Sequence, residues 1–589
     1  MSRLSIIVWL GLVAGLVEAA LLGVARFQFG RYTHLPPDLF WMSPLASVVV
    51  FLVIGLVFMA ASKVIPALRS QRATVLFFSF LAFFNAFLLV SQIHQLAALL
   101  IAAGCANVAA GVAHRFPDLF RKAVRYTTVP LFILIVIAAG SYHFLRRNDE
   151  QRAFANLPAP QRGSPNIVFI IWDTVRSTNL SLLGYHRTTT PFLEQLAARS
   201  VVFEQAASPA SWTLPAHASL FTGAYPHEVD ADWAEPLETG KLTLAEYYAQ
   251  RGYRTAGFVG NTYYCSDESG LDRGFARYED FVRTDLSQVL MGSALLRLVY
   301  AKYGFRHFLR LHEEPGRKTA ADINRAMLTW LDTNADRPFF AFLNYFDAHA
   351  PYLPPTPYDT LFGPRVRGRN PMISEERPMS EAELRAEIDS YDGAIRYLDH
   401  ALSELFKALE QRGLLENTIV VLTSDHGEQF GEHGLINHGN SLYMPLLHVP
   451  LLVFAPGRVP AGVRVGDWVS TSDLAATLAH LTNGDTTAFP GSSLAHHWGV
   501  SGRLPGPRVL SEVSQASGLP KEYPASHGDM TSVISGNYQL IRNTTGTEEL
   551  FDLDADPAQL RNLGAIESFR PVMEKLRRMS EDTASRYRD

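Results

Sequence analysis

Residues 165–176 read PNIVFIIWDTVR, an unbroken apolar run that opens after Pro165-Asn166 and closes on the carboxylate of Asp173. A continuous apolar run, as opposed to an alternating one, predicts a strand covered on both faces. Comparable runs recur at 254–260, 338–346, 417–423 and 450–455, and helical stretches at 190–199, 242–251, 319–334 and 380–411 separate them. That alternation predicts an α/β class with a doubly wound sheet. Ligands in such sheets bind beyond the carboxyl ends of the strands. Asp173, Asp347, His349, Asp425 and His426 all follow strand ends, so residues distant in sequence are expected at one edge.

Two further segments carry the chemistry. SWTLPAHASLFTG, residues 211–223, places Thr213 at the start of a helix, with Pro215 inside its first turn. TSDHGE, residues 423–428, places Asp425-His426 just past a strand. Thr213 is of a type that caps helices, and Asp173 of a type that closes turns. Both also suit catalysis, since a hydroxyl at a helix N-terminus sits where N–H groups favour an anion. Adjacent oxygen and nitrogen donors after a buried strand suit one divalent cation, zinc or manganese first and magnesium or calcium next. A bound cation would lower the hydroxyl pKa and make Thr213 a nucleophile toward phosphorus or sulfur.

His349 in NYFDAHAPY and His438 in GLINHGNSLY lie in polar loops near strand ends, placed to contact a transferred anion or protonate a leaving oxygen. His217, one turn past Thr213, is a further substrate-binding candidate, as are His433 and Asp347; each has an ordinary structural reading beside it.

The first 147 residues differ in kind. Long apolar runs dominate, and Glu18, Asp38 and Asp118 are the only acidic residues there. Five spans of about 18–23 residues are expected at 4–25, 43–62, 73–91, 94–114 and 126–145, each long enough for a bilayer core. Lys63, Arg69 and Arg72 between the second and third, and Arg115, Arg121, Lys122 and Arg125 between the fourth and fifth, are expected on the cytoplasmic side. Five crossings then carry everything after Arg147 to the periplasmic or extracellular side of an inner (plasma) membrane. Cys265 is the only cysteine of that exported part, so it forms no internal disulfide. A net charge of −5 without a basic cluster speaks against nucleic-acid binding.

The expected organisation is a transmembrane domain at 1–147, a linker at 148–164, a catalytic domain at 165–499 and a C-terminal subdomain at 500–589. The last contains VLSEV, MTSVISGNYQLIRN and EELFDLD, a small antiparallel sheet, and a helix from about 566. The stretches 281–318 and 353–380 fit the alternation poorly and are expected as excursions near the mouth of the site.

PNIVFIIWDTVR, SWTLPAHASLFTGAYPHE, LAEYYAQRGYRTAGFVGN, LDRGFARYEDF, FLNYFDAHAPYLPP, TSDHGEQFGEHGLINHGNSLYMPLLHVPLLVFAPG and ELFDLDADPAQLRNL, in this order, resemble the sulfatase and alkaline phosphatase superfamily over roughly 165–560. The resemblance implies a doubly wound mixed sheet, a metal held by Asp173, Thr213, Asp425 and His426, Thr213 as nucleophile, and His349 and His438 on the transferred group. The sequence departs from sulfatases where their C/S-x-P-S-R pattern, the site of formylglycine, reads TLPAH. It departs again at FVGN after GYRT, at Asp173-Thr174 in place of paired aspartates, and at Asp425-His426 in place of Asp-Asn. A threonine with an Asp-His pair, behind about five spans, resembles phosphoethanolamine transferases and lipoteichoic acid synthases. The resulting expectation is a membrane-anchored enzyme that cleaves or transfers a phosphoester on a lipid or envelope glycan. The alternatives are a sulfatase without formylglycine, and a non-catalytic protein that binds anionic headgroups in the bilayer.

Overall fold

The computed structural model describes residues 2–29, 36, 38–90, 92–229, 231–233, 235–237, 240–281, 286–302, 317–364, 379–499, 509–516 and 518–585. The chain divides into two units. One comprises Met1–Arg152 and Phe281–Gly316, the other Ala153–Asp280 and Arg317–Asp589.

The first unit is helical. It contains α1 (Arg3–Phe29), α2 (Leu39–Val64), α3 (Gln71–Phe87), α4 (Gln95–Arg115) and α5 (Pro117–Ala155). All except α3 are long and apolar enough to cross a membrane; α3 has 17 residues. At 1.5 Å per residue α3 reaches about 26 Å, short of the ~30 Å hydrocarbon core. The third and fourth expected spans are separate helices, with His94 capping α4; Ser91 in the intervening turn lies outside the described residues. The expected linker at 148–164 begins as helix, because α5 runs unbroken to Ala155. Where α1 crosses α2 the backbones nearly touch: a Cβ on Gly15 would lie 2.4 Å from Pro44 Cα. The expectation for 281–318 changes, since Phe281–Gly316 groups with these helices. Of the second expected excursion, 353–380, residues 365–378 lie outside the described set.

The second unit is built on an eight-stranded mixed sheet. Its strands are β1 (Asn166–Trp172), β2 (Val201–Ala207), β3 (Arg254–Val259), β4 (Arg277–Glu279), β5 (Phe339–Tyr345), β6 (Thr418–Thr423), β9 (His448–Phe454) and β10 (Val463–Ser470). A two-stranded hairpin, β7 (Gln429–Phe430) and β8 (Ile436–Asn437), comes between β6 and β9 in the chain. The order across the large sheet is β10-β2-β9-β6-β1-β5-β3-β4, and β9 alone runs antiparallel to its neighbours.

Alternate residues of β1 serve the two faces. Val168, Ile170 and Trp172 join a core with Ile323, Met327 and Trp330 of the helix Ala320–Asn334 and with Leu398, Leu402 and Leu405 of the helix Glu381–Gln411. On the other face Phe169 meets Phe221 of the helix Thr213–Thr222, which packs edge-on against Phe342 of β5. Both layers are apolar, which is why β1 reads as one continuous run.

The small C-terminal sheet is antiparallel, with β11 (Val509–Val513), β12 (Met530–Ser535), β13 (Tyr538–Asn543) and β14 (Glu548–Asp552). A 3-10 turn, Glu567–Phe569, leads into the terminal helix Arg570–Ser585.

Register places the site. Trp172 of β1 lies beside Tyr345 of β5, and Ile171 lies between Asn344 of β5 and Thr423 of β6. The three strands end level, so the residues just beyond them share one edge.

Candidate active site

Asp173 and Asp425, at the ends of β1 and β6, are both fully buried. One oxygen of each is held by hydrogen bonds. Asp173 Oδ2 accepts from Asn261 Nδ2 (2.9 Å) and Asn344 Nδ2 (3.2 Å). Asp425 Oδ1 accepts from the backbone N–H of Thr174 (3.0 Å) and of His426 (2.9 Å). The second oxygens, Asp173 Oδ1 and Asp425 Oδ2, have no hydrogen-bond partner among the described residues. Buried carboxylate oxygens without partners are costly unless a cation meets them. Burial, with Asp425 beside it, pushes the Asp173 carboxyl well above its ordinary range, and burial raises Asp425 as well.

His426 completes the group. Its Nδ1 donates to the carbonyl of Gly427 at 3.0 Å, which leaves Nε2 as the nitrogen that carries the lone pair. That nitrogen lies 3.3 Å from Asp425 Oδ2. Burial and the nearby His438 push the His426 pKa down to about 3, so the ring is neutral and fit to be a ligand. Ligand atoms from Asp173, Asp425 and His426 all lie within 4.8 Å of one another. This donor set fits a divalent cation.

Thr213 is the first residue of its helix, and the N-cap position belongs to Trp212. The threonine therefore does not spend its side chain on capping. Its Oγ1 lies 3.2 Å from His426 Nε2, at the edge of the metal-ligand group. The helix N-terminus behind it favours negative charge. Thr174 adopts φ 62°, an unusual conformation for a β-branched residue. Its N–H on Asp425, its hydroxyl on the carbonyl of Ala348 at 3.0 Å and its own carbonyl, which accepts from Tyr391 at 2.7 Å, hold it there. Backbone strain of this kind clusters at functional sites.

Two further histidines face the group. The rings of His426 and His438 are 4.5 Å apart and those of His349 and His438 5.1 Å. His349 Nδ1 donates to the carbonyl of Ala350 (2.8 Å), and burial holds this ring's pKa well below the usual value. His438 Nδ1 lies 2.9 Å from Glu428 Oε1, and Tyr352 donates to Glu428 Oε2 at 2.9 Å. Glu428 is fully buried and so fixes the tautomer of His438, leaving Nε2 free toward the site; among the described residues Nε2 has no partner. Glu428→Gln is therefore expected to lower kcat by roughly 10–100-fold with little change in KM. A series of aryl esters checks this, since the loss should grow as the leaving alcohol becomes a poorer leaving group.

Three expected substrate-binding residues have other duties. His217 is fully buried, with Nδ1 on the carbonyl of Thr213 (2.8 Å) and Nε2 3.4 Å from Asn344 Nδ2, so it supports the site from beneath. Asp347 points its Oδ2 at the backbone N–H of Ala320 (2.9 Å), at the start of the helix Ala320–Asn334, and burial pushes its pKa up to about 7. His433 stacks on Tyr443 at 3.8 Å, and that tyrosine donates to Glu549 of β14. The hairpin β7–β8 spans the bend that carries His433 with φ 56°, which explains the departure.

Sequence reading missed several functional positions. Asn261 and Asn344 orient Asp173. Arg317 donates to the carbonyls of Phe346 (2.6 Å), Asp347 (3.2 Å), His349 (2.7 Å) and Pro351 (2.9 Å), which clamps the loop that presents His349. Glu428 was visible in TSDHGE but reads there as part of a turn. The asparagines carried a signal, since FVGN and FLNYFD both put an amide at a strand end. Arg317 carried none, because its partners are backbone carbonyls.

This fold and edge are those of a hydrolase in the alkaline phosphatase and sulfatase superfamily. The chain belongs to the sulfatase family, whose sequence model matches residues 165–484. It is similar to an ulvan-active sulfatase of Formosa agariphila, at 27% identity over 449 residues, covering 74% of this chain and 84% of that protein. It is likewise similar to sulfatase YidJ of Escherichia coli, at 25% identity over 467 residues, covering 72% and 88%. A crystal structure of a phosphonate monoester hydrolase of Agrobacterium radiobacter shares the fold with a TM-score of 0.57 and 19% identity, covering 72% of this chain and 96% of that one. Enzymes of this superfamily use a divalent metal, and Asp173, Asp425 and His426 form the group here that fits one.

Proposed function

We propose that the protein is a membrane-anchored, metal-dependent enzyme that cleaves or transfers a phosphoester through Thr213. The observation that carries this reading is the threonine hydroxyl itself, not used as a helix cap and hydrogen-bonded to His426 Nε2 at 3.2 Å. A divalent cation on Asp173, Thr213, Asp425 and His426 would lower the hydroxyl pKa and neutralise charge on the non-bridging oxygens of the substrate. Thr213 Oγ attacks phosphorus, and the bond from phosphorus to the leaving alkoxide breaks. His438 Nε2, with its Nδ1–H held by Glu428, takes up the proton that Thr213 gives up and passes it to that oxygen, with His349 beside it. The helix N-terminus favours the anionic group. The resulting phospho-threonine then passes its group to water or to an acceptor alcohol, and the bond from phosphorus to Thr213 breaks.

Threonine favours phosphorus over sulfur on chemical grounds. Its Cβ carries a methyl group, so oxidation cannot give the aldehyde hydrate whose second hydroxyl expels sulfate. A phosphorylated threonine needs no such group, because the second nucleophile attacks phosphorus in line. The phosphonate monoester hydrolase that shares the fold acts on phosphorus esters. The second reading is a sulfate ester hydrolase, which the names of the sequence relatives favour.

The four long apolar helices support a multi-pass anchor in the inner (plasma) membrane; with the shorter α3 as a fifth crossing, the basic loops between helices favour a periplasmic or extracellular catalytic unit. Such an anchor suits a lipid or envelope glycan substrate. The test uses the full chain in lipid nanodiscs, stripped of metal and reloaded with zinc or manganese. Turnover of aryl phosphodiester, aryl phosphomonoester and aryl sulfate is compared. Metal-dependent phosphoester cleavage in excess of sulfate cleavage is the expected result, and a preference for sulfate establishes the second reading.

A further inference from the structure

Residues 286–302 interrupt the catalytic unit in sequence, yet they group with the N-terminal helices. They form two short helices, Leu286–Met291 and Ala294–Lys302, joined through Gly292-Ser293. Leu295 and Leu296 pack on the core formed by Ile6, Leu10, Phe51 and Phe78, and Leu295 and Leu298 pack on Phe84, Ala98 and Ala102. The joint lies against α2: Ser43 Oγ donates to the carbonyl of Gly292 at 2.7 Å. A Cβ at Gly292 would meet the backbone of Met42 and Ser43 at 3.1 Å, so glycine permits the approach.

At the centre of this contact is Glu18, fully buried in α1. Its Oε1 accepts from the backbone N–H of Ala294 (2.8 Å) and from Arg297 Nη2 (2.7 Å). Its Oε2 accepts from Asn85 Nδ2 of α3 at 2.7 Å. The same asparagine, also fully buried, takes the backbone N–H of Leu295 on its oxygen at 3.0 Å. Each of these partnerships joins the inserted helices to one of the N-terminal helices, or one such helix to another. Glu18 lies 15 residues beyond Arg3, roughly 22 Å along the helix axis, within the length of a bilayer core. An ionisable residue at such depth is tolerated when paired, and its partner marks what belongs beside it.

We infer that the face formed by α1, α2 and α3 is a docking surface for residues 286–302 of the same chain, and that Glu18, Asn85 and Arg297 are its lock. The membrane unit is complete only when this later stretch, synthesised after β1–β4, has returned to it. A fragment that lacks α1–α4 presents Leu295, Leu296 and Leu298 to water and leaves Arg297 without its carboxylate. The arrangement is independent of the ester chemistry proposed above.

The test is hydrogen exchange, read by mass spectrometry on the full chain in nanodiscs of phosphatidylethanolamine and phosphatidylglycerol. A peptide covering 292–299 reports the lock, and one covering β1 reports the catalytic fold. Arg297→Met leaves Glu18 buried and unpaired and is expected to speed exchange at 292–299 by about tenfold or more. The double variant Glu18→Gln with Arg297→Met removes both charges and is expected to return it to within about threefold of the parent. The β1 peptide is unchanged throughout. Unchanged exchange in Arg297→Met, or a double variant as fast as the single one, overturns the inference. Should Arg297→Met fail to accumulate, accumulation of the double variant supports the lock and its failure too counts against it.

Discussion

Thr213→Ala is expected to abolish ester turnover, with a fall on the order of 10⁴-fold or more, the scale seen when a covalent nucleophile is removed. The melting temperature stays close to the parent, because Trp212 occupies the N-cap position and the Thr213 hydroxyl caps no backbone group. Its side-chain hydrogen bond runs instead to His426 Nε2. Thr213→Ser keeps the hydroxyl and is expected to retain turnover well above the alanine variant. The two substitutions thus separate the hydroxyl from the helix that carries it. Steady-state kinetics on the best aryl ester, with thermal melts alongside, check the result. Equal turnover in Thr213→Ala and the parent would remove the threonine from the mechanism.

The second large effect concerns the two buried carboxylates. Exhaustive chelation is expected to lower turnover by about 10³-fold or more, the equivalent of several kcal/mol of charge stabilisation lost from the transition state. Stability then separates two states of the same site. With the cation gone, Asp173 Oδ1 and Asp425 Oδ2 are buried without partners, and Asp173 has a raised pKa in the fold. A carboxyl whose folded pKa is raised binds protons more readily folded than unfolded, so its contribution falls as pH rises above the unfolded value. At neutral pH and above, Asp173→Asn is therefore expected to raise the melting temperature of the chelated protein by a few degrees. The same substitution abolishes turnover and removes the stabilisation that added zinc or manganese gives the parent. Melts of both proteins, with and without metal, distinguish these outcomes. A parent that melts at the same temperature in both conditions would count against a cation at this group.

Much of this protein is legible in its sequence, for identifiable reasons. β1, β3, β5, β6 and β9 are buried on both faces, so solvent imposes no alternation and each appears as a continuous apolar run. β2 and β10 escape that criterion. Glu204 and Gln205 interrupt β2, and β10 lies at the sheet edge with Arg464 and Gly466 turned to solvent. Asp173, Asp425 and His426 are legible because a parallel sheet gathers the residues just past its strands at one edge, whatever the sequence distance. The apolar N-terminal helices are legible from length and composition.

Local sequence leaves open which polar residues turn inward, because that depends on partners brought from elsewhere. His433 and His438 stand five residues apart in one loop. The bend between β7 and β8 sends the first onto Tyr443 and the second onto Glu428. Arg317 becomes a clamp only once the loop 346–351 curls around its guanidinium. Glu18 reads alone as a charge misplaced in an apolar run, and Arg297 as one of many arginines in the later part of the chain. Composition and periodicity determined the continuous strands, the apolar N-terminal helices and the carboxylates and histidine that follow strand ends, because each is set by a run of neighbouring residues. The tertiary structure alone decided the tautomer of His438, the duty of Asp347 and the pairing of Glu18 with Arg297, because a buried polar group is defined by the partner that meets it across the fold.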